Sequence, residues 1–96
     1  MAVSEVTVDD IISYCRIAEP TAEDKKFFSQ ALDISKQYIK DYTGLDDEDL
    51  DKHVDFVICI YVLCQDMYDN RALYVDKNNL NNTVESILGF HRVNLL

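Results

Sequence analysis

Residues 54–68 constrain the fold of this chain more than any other stretch, because they form a long apolar run without glycine or proline. The run reads VDFVICIYVLCQDMY, which is longer than an ordinary strand, so its length favours a helix. On a helical projection its apolar residues form two stripes on nearly opposite faces. One stripe contains Val54, Val57, Ile58, Tyr61, Cys64 and Tyr68, and the other contains Phe56, Ile60, Leu63 and Met67. The helix is therefore predicted to be buried on two sides, by other helices of this chain or by a second chain.

The remaining sequence predicts an all-α domain. Two glycines and one proline are too few turn residues for an all-β fold. Helical periodicity predicts four helices, near residues 8–17, 22–42, 52–72 and 83–89. The expected architecture is a small bundle of two long antiparallel helices plus two shorter ones, within a single domain spanning residues 1–96. Residues 93–96 are predicted to form a flexible tail.

Capping residues support these boundaries. Thr7 and Thr21 are expected N-caps, and Gly44 is an expected left-handed residue at a helix C-terminus. Asn82 is expected to cap the last helix, with Glu85 completing a capping box and Gly89 ending the helix. The acidic segment 46–51 is interpreted as a linker, and residues 74–82 are interpreted as a loop.

The two long helices are expected to share the core. Their predicted facing residues are Phe28, Ala31, Tyr38 and Tyr42 on one helix, and Val57, Ile58, Tyr61 and Cys64 on the other. Ile58 is therefore predicted to be buried, so that its truncation to alanine would cost about 2–5 kcal/mol.

Charge and composition exclude several classes of function. The net charge of -9 disfavours binding of nucleic acid through its phosphates. The apolar run of residues 56–64 is far shorter than the ~20 residues that span a bilayer, so no membrane segment is predicted. The N-terminal residues lack the pattern of a signal peptide, and the three cysteines are interpreted as reduced, buried thiols.

No motif predicts catalysis or a bound ion. The chain has no glycine-rich phosphate loop, and its acidic segments lack the glycine of a calcium loop. Cys15, His53 and His91 show no spacing typical of metal ligands, and Cys59 and Cys64 project from different sides of their helix. The sequence therefore predicts a protein that is not an enzyme and has no catalytic, metal or cofactor-binding residues and no cofactor.

Four segments, in this order, resemble one known family. They are VDDIISYCRI at residues 8–17, residues 31–44 ending IKDYTG, residues 60–71 ending MYDNR, and VESIL at residues 84–88 followed by Arg92. Together they resemble the small α-helical head–tail connector proteins of phages and prophages, which are also called adaptor or head-completion proteins. The resemblance covers about residues 6–92, and the acidic linker 46–51 departs from the family pattern.

This resemblance implies a structural virion protein at the head–tail interface, assembled in the host cytoplasm. Such proteins form homo-oligomeric rings of about a dozen subunits under the capsid portal protein, and the isolated subunit can be monomeric before it assembles. The ring extends the DNA channel, which DNA crosses without specific binding, and it offers a platform for a stopper or tail-completion protein. The alternative from the sequence itself is a monomeric helical module that regulates one protein partner.

Two groups of residues are predicted to make contacts between proteins. The expected subunit interface comprises Phe56, Ile60, Leu63, Met67 and Arg71, unless another helix of the chain covers that stripe. The expected contacts to the portal or tail are Phe90, His91, Arg92, Leu95 and Leu96, because a short domain has little reason to keep apolar residues in a free end.

Overall fold

The computed structural model describes residues 1–92, and all regular structure in this part of the chain is helical, as predicted. It has five α-helices: α1 Val8–Tyr14, α2 Ala22–Thr43, α3 Asp47–Leu50, α4 Asp55–Asn70 and α5 Asn82–His91. Two short 3-10 turns lie at Val3–Glu5 and Lys77–Asn79. Within residues 1–92, every helix is too short or too polar to cross a membrane. The predicted tail, residues 93–96, lies outside the described residues.

Local capping explains where α1 and α2 begin. The Thr7 side chain accepts a hydrogen bond from the Asp10 amide, and the Asp10 carboxylate accepts one from the Thr7 amide. Thr21 and Asp24 form the same reciprocal pair at the start of α2. Each pair satisfies two amides that have no partner within the helix. At the end of α2, Gly44 has a φ of 76°, so both N-caps and this C-terminal glycine are confirmed.

Several predicted boundaries are wrong, for identifiable reasons. α1 and α4 end earlier than predicted because Arg16 and Arg71 adopt the left-handed conformation, with φ of 58° and 51°. The acidic linker contains the short helix α3, whose N-cap is the Asp46 side chain. α5 is capped by Asn81 rather than Asn82, so Glu85 does not complete a capping box. α5 also continues through Gly89 to His91.

α2 and α4 pack antiparallel, as predicted. The Tyr68 hydroxyl near the end of α4 donates a 3.1 Å hydrogen bond to Asp24 Oδ1 near the start of α2. Midway along the pair, Ser35 Oγ and Cys64 Sγ lie 3.5 Å apart and share a buried hydrogen bond. Phe28 stacks on Tyr68 with 4.8 Å between ring centroids. α5 then packs against both helices and runs antiparallel to α4, and α1 packs against α2 and α4.

α4 buries one wide face rather than two opposed stripes. Its buried residues span roughly 160° of the helix circumference. They are Phe56, Val57, Cys59, Ile60, Leu63, Cys64 and Met67. The prediction that Ile58 belongs to the core is wrong, because its side chain is 49% exposed. α2, α5 and α1 together cover the buried face, which includes Val57 and Cys64, and they leave Val54 and Ile58 exposed.

Candidate functional surfaces

The exposed apolar residues of α4 form part of a larger patch. Val54 is 66% exposed and lies one helical turn before Ile58. The Tyr14 ring of α1 stacks on Tyr61 at 5.0 Å, and the Tyr61 hydroxyl donates to Met1 Sδ at 3.7 Å. Burial, together with the nearby Asp10 carboxylate, raises the pKa of Tyr61. We define these five residues, Met1, Tyr14, Val54, Ile58 and Tyr61, as the α4 surface patch.

A second apolar exposure lies beyond the opposite end of α4. Leu73 is 39% exposed and Tyr74 is 63% exposed. Beside them lies a cavity of about 420 Å³, bounded by the last turns of α4 and by residues 72–80. Asp66 lines this cavity, and burial followed by repulsion from Asp69 raises the pKa of its carboxyl group. We define Leu73 and Tyr74 as the distal patch.

The segment beside this cavity has more structure than the loop that the sequence predicted. Asp76 accepts hydrogen bonds from the Asn78 amide at 3.1 Å and from Asn79 Nδ2 at 3.0 Å. These bonds hold the 3-10 turn Lys77–Asn79, and hydrogen bonding to the carboxylate lowers the pKa of Asp76, most strongly from the Asn79 side chain. The cavity wall is therefore an organised turn.

Four of the five predicted interface residues lie inside the domain. Phe56 and Ile60 are fully buried, and Leu63 and Met67 are each 2% exposed. Side chains enclosed by α2, α4 and α5 cannot meet a second chain in the folded domain, so the prediction that they form the subunit interface is wrong. The alternative considered from the sequence, that helices of the same chain cover this stripe, is the correct one.

Arg71, the fifth predicted interface residue, stays at the surface. Its guanidinium lies 4.0 Å from the centroid of the Tyr68 ring, in a cation–π contact. The hydrogen bond from the Thr21 amide lowers the pKa of Asp24, burial opposes it, and the Tyr68 hydroxyl and the charge of Arg71 lower the pKa further. Arg71 therefore belongs to a surface cluster with Tyr68 and Asp24 at the junction of α2 and α4, and this cluster is separate from the α4 surface patch.

The predicted portal or tail contacts separate into different environments. Phe90 is 84% exposed, whereas the His91 side chain is only 14% exposed. The Arg92 guanidinium lies 5.5 Å from the centroid of the Tyr42 ring. Leu95 and Leu96 lie outside the described residues. Phe90 is therefore the one apolar residue of this predicted group that the structure shows as available to a partner.

A group of potential metal ligands was missed by the sequence analysis. His53 precedes α4, Asp55 is its first residue, and His91 is the last residue of α5. One donor atom from each lies within 4.8 Å of the others. The two histidines lack the sequence spacing typical of metal ligands, and the fold brings them together. The order of the helices contained a usable signal. Neighbouring antiparallel helices bring the start of one beside the end of the next, and His53 lies just before α4 while His91 ends α5.

The three cysteines are free thiols; Cys59 and Cys64 are buried as predicted, whereas Cys15 is only partly buried. Burial raises the pKa of Cys59 to about 12 and that of Cys64 to about 11. Burial also raises the pKa of the partly buried Cys15. Because the thiolate is the reactive form, these residues are poorly suited to nucleophilic chemistry near neutral pH.

Comparison of the chain with protein-family models, with curated proteins and with solved structures gives no match.

Proposed function

We propose that this chain is a structural assembly protein, a ring-forming head–tail connector that docks under a capsid portal, extends the DNA channel and supports stopper or tail attachment. The sequence resemblance supplies the class of protein. The observation that carries the proposal is the α4 surface patch, in which Val54 is 66% exposed and Ile58 is 49% exposed. In this proposal, its occupant is a second copy of the chain.

A closed ring requires two different contact surfaces on each subunit, because its subunits are joined head to tail. The α4 surface patch lies around the first half of α4, and the distal patch follows the last residue of the same helix. α4 has 16 residues and is therefore about 24 Å long. Two separated apolar patches at opposite ends of one helix suit a head-to-tail contact between neighbouring copies.

The acidic surface is compatible with a channel for DNA. Asp46, Asp47 and Glu48 are exposed around α3, and Asp47 pairs with Lys40 at 3.2 Å. A surface with excess negative charge repels phosphates, so DNA would pass it without adhering. The excess of acidic over basic residues in the whole chain, 18 against 9, acts in the same direction.

Cysteine cross-linking tests the proposed contact between copies. The variant would carry Ile58→Cys and Tyr74→Cys in a Cys15→Ser background, leaving the buried Cys59 and Cys64 unreactive. A disulfide requires Cα atoms less than about 7 Å apart, so the two new thiols cannot pair across the length of α4 within one chain. Mild oxidation is expected to produce a ladder of covalent multimers, ending at the size of the closed ring.

Each single-cysteine variant is the matched control and should stop at a covalent dimer or remain monomeric. A double variant that gives no ladder would contradict the head-to-tail contact. If the protein instead remains monomeric and binds one partner at fixed stoichiometry, the monomeric regulatory module replaces the ring as the interpretation.

A further inference from the structure

The cluster of His53, Asp55 and His91 is built from positions far apart in sequence. His91 Nε2 lies 2.8 Å from Asp55 Oδ2. The imidazole rings of His53 and His91 lie 4.3 Å apart, measured between centroids. These two residues are also the only histidines in the chain. All of its imidazole nitrogens are therefore concentrated at one point, where α4 begins and α5 ends.

The packing around the cluster restricts its ring orientations. Phe56 is fully buried and packs edge-on against both imidazoles, at 5.5 Å from His53 and 4.8 Å from His91. The His53 backbone is also fixed, because its amide donates to Leu50 and its carbonyl accepts from the Phe56 amide, both at 3.2 Å. Packed neighbours of this kind hold ligand side chains in place before an ion binds.

The donor separations fit a small transition-metal ion. Nitrogen and oxygen ligands lie about 2.0–2.2 Å from zinc, so neighbouring ligand atoms are roughly 3–3.6 Å apart. His91 Nε2 and Asp55 Oδ2 lie 2.8 Å apart in a hydrogen bond, so a metal would displace the shared proton and move these two atoms slightly apart. The third donor lies within 4.8 Å of the other two, and a modest rotation of the half-buried His53 side chain would close the gap.

The chemistry of the donors selects the class of ion. Two imidazoles and one carboxylate suit zinc and neighbouring divalent transition metals, whereas calcium and magnesium prefer ligand sets made of oxygen. We infer that His53, Asp55 and His91 form a binding site for one divalent transition-metal ion, with zinc as the expected occupant. Three protein ligands leave at least one coordination position for water.

A metal at this point would connect the end of α5 to the start of α4. It would therefore fix the position from which the chain continues past Arg92, and with it the position of the exposed Phe90. The alternative is that His91 Nε2 and Asp55 Oδ2 form only their hydrogen bond, and that His53 plays no part. The two accounts differ in what they predict for His53.

Zinc titration of the reduced, chelator-treated full chain tests the inference. Calorimetry should show one ion bound per chain, and cobalt should bind to the same site with a visible absorption band. Zinc at about ten times its dissociation constant should raise the melting temperature by roughly 5–10 °C. His53→Gln, Asp55→Asn and His91→Gln should each weaken binding about tenfold or more.

Two controls separate this site from weaker ones. Asp47→Asn removes an exposed carboxylate of α3, and Cys15→Ser removes the most accessible thiol. Both should leave zinc affinity unchanged. No zinc uptake by the folded wild-type chain would overturn the inference, as would equal affinity in the three ligand variants. If a ligand variant fails to fold, imidazole NMR of the wild-type chain decides, since zinc must shift the signals of both histidines.

Discussion

The buried and exposed faces of α4 carry similar side chains in different surroundings. Ile60 is fully buried, whereas Ile58, two residues earlier, is 49% exposed. Both are isoleucines within the same apolar run, so hydrophobicity alone does not distinguish them. The difference arises because α2, α5 and α1 contact one wide side of the helix and leave the other side uncovered. An apolar stripe in the sequence therefore does not show which of its residues are buried, because tertiary packing decides that.

The largest expected effect is the difference in stability between two variants, one truncated at Ile60 and the other at Ile58. Ile60→Ala should lower the free energy of unfolding by about 2–5 kcal/mol, because it leaves a cavity among α2, α4 and α5. Ile58→Ala should lower it by less than about 1 kcal/mol, because water already reaches that side chain. Urea unfolding of the two variants measures the difference. Equal losses would show that the two faces of α4 are not distinct.

Thiol accessibility gives a second test of the same contrast. In a Cys15→Ser background, Ile58→Cys should add one thiol that reacts rapidly with an alkylating reagent. Ile60→Cys should add none, because its reaction requires opening of the domain. The opened state is populated roughly a thousandfold less than the folded state, or less still. Mass spectrometry after a short reagent pulse counts the modified thiols. Rapid modification at position 60 would place that residue at the surface.

Alkaline pH should lower the free energy of unfolding, because the buried face of α4 contains the thiols of Cys59 and Cys64. Burial raises the pKa of Cys59 to about 12 and that of Cys64 to about 11, from an ordinary value of 9.0. The folded state therefore retains these protons more tightly than the unfolded state does. The resulting stability is complete below pH 9 and is lost as the pH rises towards 11–12. Urea midpoints across this range should fall, and they should fall less steeply in a Cys59→Ala/Cys64→Ala variant than in the wild type.

Much of the fold follows from local sequence signals. The Thr7–Asp10 and Thr21–Asp24 capping boxes and Gly44 each act within a few residues, so the sequence identifies them directly. The ends at Arg16 and Arg71 escaped prediction because arginine rarely adopts a left-handed conformation. The buried side of α4 and the histidine cluster depend on how α5 packs, and neither helical periodicity nor ligand spacing contains that information.

The smallest expected change in stability comes from adding a charge to the exposed face. Ile58→Lys should alter the free energy of unfolding by about 0.5 kcal/mol or less, because the ammonium group remains in water. Circular dichroism should likewise match the wild type. A loss as large as that expected for Ile60→Ala would mean that Ile58 supports the core, and the variant could not then serve as a probe of assembly.

The proposed ring requires the α4 surface patch to bind a second copy of this chain. Size-exclusion chromatography with light scattering, at increasing protein concentration, tests it most directly. The wild-type chain should rise from its monomer mass of 11.1 kDa towards a closed ring, while Ile58→Lys should remain monomeric at every concentration. A wild-type chain that stays at the monomer mass up to its solubility limit, or an Ile58→Lys variant that assembles equally well, would contradict the claim.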